Sequence, residues 1–232
     1  MHQLPKMVIF STGDELVDVH ETPMQHQIRR SNVYGIQATL KEWGITADLH
    51  HLKDDKSSML TEISTALETY DVFVFTGGVS KGKFDYLPKV LEELNVTKHF
   101  HKIQQRPGKP FWFGSNADGK KVFALPGNPV SSFVCVYMYL RFWLNKSLGT
   151  TSEVHYVKLK DDIHFLPDLV YFLEAKLESL PDGTLVAEGI KGNGSGDFAN
   201  LVKTDGFLIL PQKKQQFFAN DVYPFVPYRA NW

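Results

Sequence analysis

Residues 72–75, Val-Phe-Val-Phe, are apolar without alternation and break at once into Thr76-Gly77-Gly78. A strand that is apolar on both faces needs cover on both, the condition of a parallel sheet held between helices. The surrounding segments repeat the theme. Met7-Val8-Ile9-Phe10 runs into Ser11-Thr12-Gly13-Asp14-Glu15-Leu16. Ser31 precedes Val33, Ile36, Leu40 and Trp43 at helical spacing, with Gly44 as the stop. A strand over 45–52 leads to Met59, Leu60, Ile63, Ala66, Leu67 and Tyr70, a second amphipathic helix. The pattern predicts a helix over 86–94, strands near 98–104, 111–113 and 121–125, and a helix from Pro129 to about Leu148. Alternating strands and helices of this kind predict a doubly wound α/β domain.

From Thr150 the pattern changes. Short alternating runs at 154–159, 169–177, 184–187, 206–210 and 222–226 are separated by Pro-Asp-Gly and Gly-Asn-Gly-Ser-Gly turns, with no convincing helix. We expect a small all-β module, a barrel or a sandwich. The chain therefore divides into an α/β domain over 1–149 and a β domain over 150–232.

Ligands of open α/β sheets bind beyond the carboxyl ends of the strands, where strand order reverses. Three turns of this chain fall at such ends: Ser11–Glu15, Thr76–Gly82 and Pro126–Asn128. Gly77 and Gly78 expose backbone N–H groups, though glycines in such loops also serve purely steric ends. Asn128 is placed to cap the last helix and Pro129 to open it, and free amides there suit an anion. Three such turns together point to a phosphate-bearing ligand. Asp14, Glu15 and Asp85 accompany the glycines; carboxylates beside a phosphate site commonly hold a divalent cation such as Mg²⁺. The structural alternatives are that Asp14 caps a turn and Asp85 the next helix. Lys102, Arg106 and Lys109 supply local positive charge suited to phosphate or another oxyanion, or form an ordinary basic loop.

Other chemistries are disfavoured. The net charge of -1 offers no global field for nucleic acid. No apolar run is long enough to span a membrane and no signal segment is expected, so a cytoplasmic location is. Cys135, the single cysteine, lies in an apolar helical run and reads as core. His99 and His101 share a strand face but lack a third zinc ligand.

The ordered motifs Ser11-Thr12-Gly13-Asp14-Glu15-Leu16, Thr76-Gly77-Gly78-Val79-Ser80 with Gly82 and Asp85-Tyr86, Pro107-Gly108-Lys109-Pro110 and Leu125-Pro126-Gly127-Asn128-Pro129-Val130-Ser131 resemble the molybdopterin molybdenumtransferase family, MoeA and the gephyrin E domain. The resemblance continues loosely through Gly194-Ser195-Gly196 and Gly206–Pro211. It implies a MogA/MoaB-like three-layer α/β/α domain with a mostly parallel sheet, followed by a barrel-like β domain. It implies insertion of molybdenum from molybdate into molybdopterin, or its adenylylated form, with Mg²⁺ and a homodimer of the full-length protein.

By matched position, Glu15 and Asp85 become active-site acids and cation ligands, and Lys102, Arg106 and Lys109 the basic cluster. Thr12, Gly13, Asp14, Asn32, Thr76, Gly77, Gly78, Val79, Ser80, Pro126, Gly127, Asn128, Pro129 and Ser131 become pterin-binding residues. Two departures stand out. Family members commonly have Asp-Ser-Asn where this chain has Arg30-Ser31-Asn32, and they carry two further domains before the first motif. The second departure implies an excised fragment or a short homologue. A non-catalytic pterin-binding or docking module and a MogA-like adenylyltransferase are the alternative readings.

Overall fold

The computed structural model describes residues 3–79, 86–151, 154–192 and 198–229. They form two compact units, one of residues up to Ile103 with Pro110–Phe133, the other of Gln104–Lys109 with the chain from Val134. By contact, the last change of unit along the chain falls between Phe133 and Val134.

The first unit is built on strands β1 (Met7–Thr12), β2 (Leu16–Val17), β3 (Ile28–Arg29), β4 (Ala47–Leu52), β5 (Val72–Thr76) and β6 (Thr97–His101). After β7 (Gln105–Arg106), which belongs to the second unit, come β8 (Trp112–Ser115) and β9 (Lys121–Leu125). Helices α1 (Asn32–Glu42), α2 (Lys56–Thr69) and α3 (Leu87–Glu93) connect them, and α4 begins at Pro129. The main sheet has the order β4-β1-β5-β9-β8-β6. β4, β1, β5 and β9 are parallel, and β8 and β6 add antiparallel at one side. From β1 the chain crosses to β4 on one flank and returns past β1 to β5, so strand order reverses between β1 and β5.

Every residue of β1 and β5 is buried, as their unbroken apolarity requires. Val8, Phe10, Phe73, Phe75, Val122 and Ala124 share one core with Met59 and Ile63 of α2 and Leu87, Val90 and Leu91 of α3. The alternate residues of the pleat face the other way, where α1 packs on β1 and β4 with Val33, Ile36 and Leu40 buried. The result is a three-layer α/β/α arrangement. Phe10 and Phe75 stack across neighbouring strands at 4.9 Å.

Local signals mostly act as expected. Gly44, at φ 77°, stops α1 and donates to Lys41 O. The cap of α2 was not among the expectations: Asp55 accepts from Ser58 N at 2.8 Å. Ser31 occupies the cap position of α1, yet its side chain makes no cap bond. The strand expected to reach 104 ends at His101, because Lys102 turns to a positive φ of 67°.

The second unit contains α4 from Val134, a wider helical turn over Val136–Leu140, and α5 (Arg141–Ser147). Its strands are β7, β10 (His155–Leu159), β11 (Ile163–His164), β12 (Val170–Ser179), β13 (Leu185–Gly189), β14 (Gly206–Leu210), β15 (Gln216–Phe217) and β16 (Val222–Pro227). The five longer runs foreseen in the sequence pair as β13-β10-β16-β14-β12, and β12 closes back on β13, giving a five-stranded barrel. Val157, Leu159, Leu173, Ala187, Leu208 and Phe225 are among the residues that fill it. β7 pairs in parallel with β12, Gln105 opposite Val170, which draws this short segment away from its sequence neighbours. One helical turn, α6 (Asn200–Lys203), and the pair β11–β15 lie where no element was expected. No described helix is long and apolar enough to cross a membrane.

Candidate functional site at the carboxyl ends of the parallel strands

Parallel, in-register strands end together, so the loops after β1, β4, β5 and β9 converge. Between them, at the reversal of strand order, is a cavity of about 390 Å³. Thr12, Gly13 and Glu15 line it from the first loop, Asp54 from the second, Thr76, Gly77 and Gly78 from the third, and Gly127 and Pro129 from the last. The remaining wall comes from the β2–β3 pair and the start of α1, through Arg29, Arg30, Ser31 and Asn32 among others.

The loops are tied to one another. Thr12 Oγ1 donates to Thr76 O at 3.4 Å, and Thr76 Oγ1 to Phe10 O at 3.4 Å, so the two threonines lock β1 to β5 at the cavity floor. Asn32 Nδ2 donates to Gly127 O at 2.8 Å, joining α1 to the turn after β9. Asp54 N donates to Asp14 Oδ1 at 3.1 Å, joining the β1 and β4 loops. Gly77 adopts φ 97°, and a Cβ there would lie 2.8 Å from Thr12 Oγ1; only hydrogen fits. At Gly13, φ 130°, the Glu15 carboxylate folds over the backbone where a Cβ would stand.

Several expected site residues take other positions. Asn128 Oδ1 accepts from both the N–H and the hydroxyl of Ser131, each at 3.0 Å. It caps α4 as foreseen, but in doing so uses an amide expected to face a ligand. Asn128, Ser131, Pro126 and the buried Val79 are absent from the cavity wall, as is Asp14. Lys102, in the first unit, is exposed and off the wall. Arg106 and Lys109 are exposed residues of the second unit, where the Arg106 guanidinium lies over the Phe165 ring at 5.9 Å. Ser80, Asp85 and 194–196 lie outside the described residues.

The loop carrying Arg106 and Lys109 rests on a buried polar group. Gln105 Nε2 donates to Pro107 O at 3.0 Å, its Oε1 accepts from the Tyr139 hydroxyl, and Cys135 Sγ donates to Gly108 O at 3.9 Å. Burial pushes the Cys135 thiol well above its ordinary pKa, which keeps it a weak donor rather than a nucleophile.

Sequence reasoning missed the arginines. Arg30 forms an ion pair with Asp18, which also accepts from Tyr34 OH at 3.2 Å and from His20 N at 3.2 Å. The Arg30 hydrogen bond, more than the His20 amide or Tyr34, holds the Asp18 carboxyl at about 2. The guanidinium stands over the Tyr34 ring at 5.9 Å. Two-residue strands leave no periodicity to read, so the flap that brings Arg29 and Arg30 to the wall had no signal beyond the two basic residues themselves. Among the described residues no group of three or more His, Cys, Asp or Glu side chains is placed to hold a metal ion. Of the two expected cation ligands, Glu15 is on the cavity wall and Asp85 lies outside the described residues.

Comparison with known proteins agrees with this arrangement. The family model described as a probable molybdopterin binding domain matches residues 8–146, and that of the MoeA C-terminal region (domain IV) matches 156–228. A molybdopterin molybdenumtransferase of Synechocystis sp. is 43% identical over 225 residues, covering 96% of this chain and 55% of the relative. One from Staphylococcus epidermidis is 28% identical over 232 residues, covering 98% and 55%. The structure of a MoeA molybdopterin biosynthesis protein from Pyrococcus horikosii superposes with a TM-score of 0.78 at 26% identity, over 98% of this chain and 55% of that one. The chain spans about half the length of the curated relatives it matches. It belongs to the family of probable molybdopterin binding domains, in the MoeA arrangement with the MoeA C-terminal region behind it.

Proposed function

We propose that the first unit binds molybdopterin in the cavity at the ends of β1 and β5, and that the protein acts in molybdenum cofactor biosynthesis as a molybdopterin molybdenumtransferase. The observation that carries the reading is the convergence of Thr12, Gly13, Thr76, Gly77 and Gly78 on one cavity at the reversal of strand order. Backbone approach at Gly77 and Gly78 and the locked Thr12–Thr76 pair suit a ligand held mainly by main-chain and hydroxyl groups. Asn32 keeps the opposite wall in place through Gly127.

The reaction would transfer molybdenum from molybdate to the pterin dithiolene, with the adenylylated pterin as the incoming form and its hydrolysis accompanying transfer. This chain's part is to bind and orient the pterin and keep the Glu15 carboxylate beside it. Mg²⁺, held by the carboxylates of Glu15 and Asp85 together with ligand oxygens, would assist the transfer. A homodimer of the full-length protein acting in the cytoplasm completes the proposal.

Calorimetric titration with molybdopterin and with its adenylylated form tests it, together with molybdenum transfer to an apo-molybdoenzyme. Binding lost in Gly78→Val supports the reading. Binding of neither form by the wild-type chain refutes it. Binding without transfer would make the chain a binding module.

A further inference from the structure

Lys102, one of the cations expected to meet an anion, is not on the cavity wall, and Asn128 occupies the Ser131 amide at the start of α4. The cationic side chains that do line it are Arg29 and Arg30. Both are fixed in place by short-range contacts. Arg29 lies in β3, opposite Val17, and its Nε donates to Glu21 O at 3.1 Å. Arg30 donates its backbone N–H to Val17 O at 3.0 Å, while its guanidinium is held by Asp18 and laid over Tyr34. The Arg30 side chain is only 18% exposed.

A guanidinium carries five N–H donors in a planar fork. The Arg30 side chain donates to Asp18 and also interacts with the Tyr34 hydroxyl, while its buried Nε has no hydrogen-bond partner among the described residues. A group so enclosed and so short of acceptors has unspent donor capacity beside the cavity. The Glu15 carboxylate folds over Gly13, towards the end of β1, and forms no ion pair with either arginine. The wall therefore has a carboxylate over the β1 loop and guanidiniums at the β3–α1 junction. Because Ser31 makes no cap bond, the start of α1 adds the same positive sign at that junction.

We propose that Arg30, with Arg29 beside it, receives the tetrahedral oxyanion of the ligand and so sets which way round the ligand sits. This rests on the reading of the cavity as the ligand site, and it assigns the oxyanion to the β3–α1 junction instead of the α4 turn. Guanidinium forks match phosphate-type oxygens in pairs, which an ammonium does not. The oxyanion can come from two sources, a phosphate ester or molybdate, with the same recognition chemistry. Asp18 and Tyr34 are positioning residues for the fork.

The test is calorimetric titration of the whole chain with sodium phosphate and, separately, with sodium molybdate. We expect wild-type protein to bind at least one of them, R30M to bind it at least tenfold more weakly, and R30K to fall between. Binding in the phosphate arm alone assigns the site to a phosphate ester; binding in the molybdate arm alone assigns it to the metal oxyanion. Since R30M leaves Asp18 without its ion-pair partner, the D18N/R30M double variant, matched to wild type in melting temperature, separates loss of binding from loss of fold. Oxyanion binding absent from wild type, or unchanged in R30M and D18N/R30M, overturns the proposal. Oxyanion binding that depends on Arg30 in a chain that fails to bind molybdopterin leaves this proposal standing and removes the proposed function. Molybdopterin bound equally by wild type and R30M does the reverse.

Discussion

Replacing Gly77 by alanine perturbs the cavity floor at one atom. The residue sits at φ 97°, a region where an L side chain costs ~1–2 kcal/mol. The new methyl would stand 2.8 Å from Thr12 Oγ1 and 3.3 Å from Thr12 O. Thr12 is buried between strands and cannot swing away freely, so its hydroxyl must give up Thr76 O, a hydrogen bond of ~1 kcal/mol. The sum is about 2–3 kcal/mol, which for a chain of this size lowers the melting temperature by about 5–10 °C. Thermal unfolding followed by calorimetry measures it. The steric part has its own signature: T12A removes the obstructing oxygen, so the double variant G77A/T12A should be less destabilised than the two single effects added together. A loss below about 0.5 kcal/mol in G77A, within the range of an ordinary surface change, would refute the reasoning, as would simple additivity with T12A.

Other outcomes follow from individual contacts. Asn128→Ala removes the acceptor for both Ser131 groups and should cost about 1 kcal/mol of stability, read by urea unfolding, with Asn128→Asp largely restoring it. Asp18 has a folded pKa of about 2, below its unfolded value, so the stability it contributes is present above the unfolded pKa and lost as pH falls towards 2. The difference in melting temperature between wild type and D18N should therefore shrink from pH 5 to pH 2; a constant difference argues against the pairing with Arg30. Cys135 should resist a chromogenic disulfide reagent in the native protein and react with one equivalent once unfolded, because burial raises its thiol pKa. Phe225→Ala should cost about 3–5 kcal/mol, since the ring is 1% exposed in the barrel core, and a loss below about 1 kcal/mol would mean the barrel is not packed around it.

The amino-acid pattern on its own determined the elements whose physics is local or periodic. Unbroken apolarity in β1 and β5 can be satisfied only inside a sheet covered on both faces, and the two helical repeats supply the cover. The five alternating runs after Thr150 are the five barrel strands for the same reason: a pleat with one dry face must alternate. Asn128 caps its helix because a short oxygen-bearing side chain satisfies an end amide without help from elsewhere. The three glycine-bearing turns stood out as candidate ligand loops, and the cavity lies among them.

Tertiary structure decided what depends on partners distant in the chain. Gln105 and Arg106 leave their neighbours because β12 offers open backbone groups to pair with, a fact invisible in residues 98–113. Lys102, Arg106 and Lys109 read as one basic cluster, but spacing in a loop does not say which unit each joins: Lys102 belongs to the first, Arg106 and Lys109 to the second. Arg29 and Arg30 show the converse. They carry no periodic signal, and it is the pairing of Leu16–Val17 with Ile28–Arg29, across ten intervening residues, that lays them against the cavity. Charge is written in the sequence; which charge meets the ligand is settled only when the strands pair.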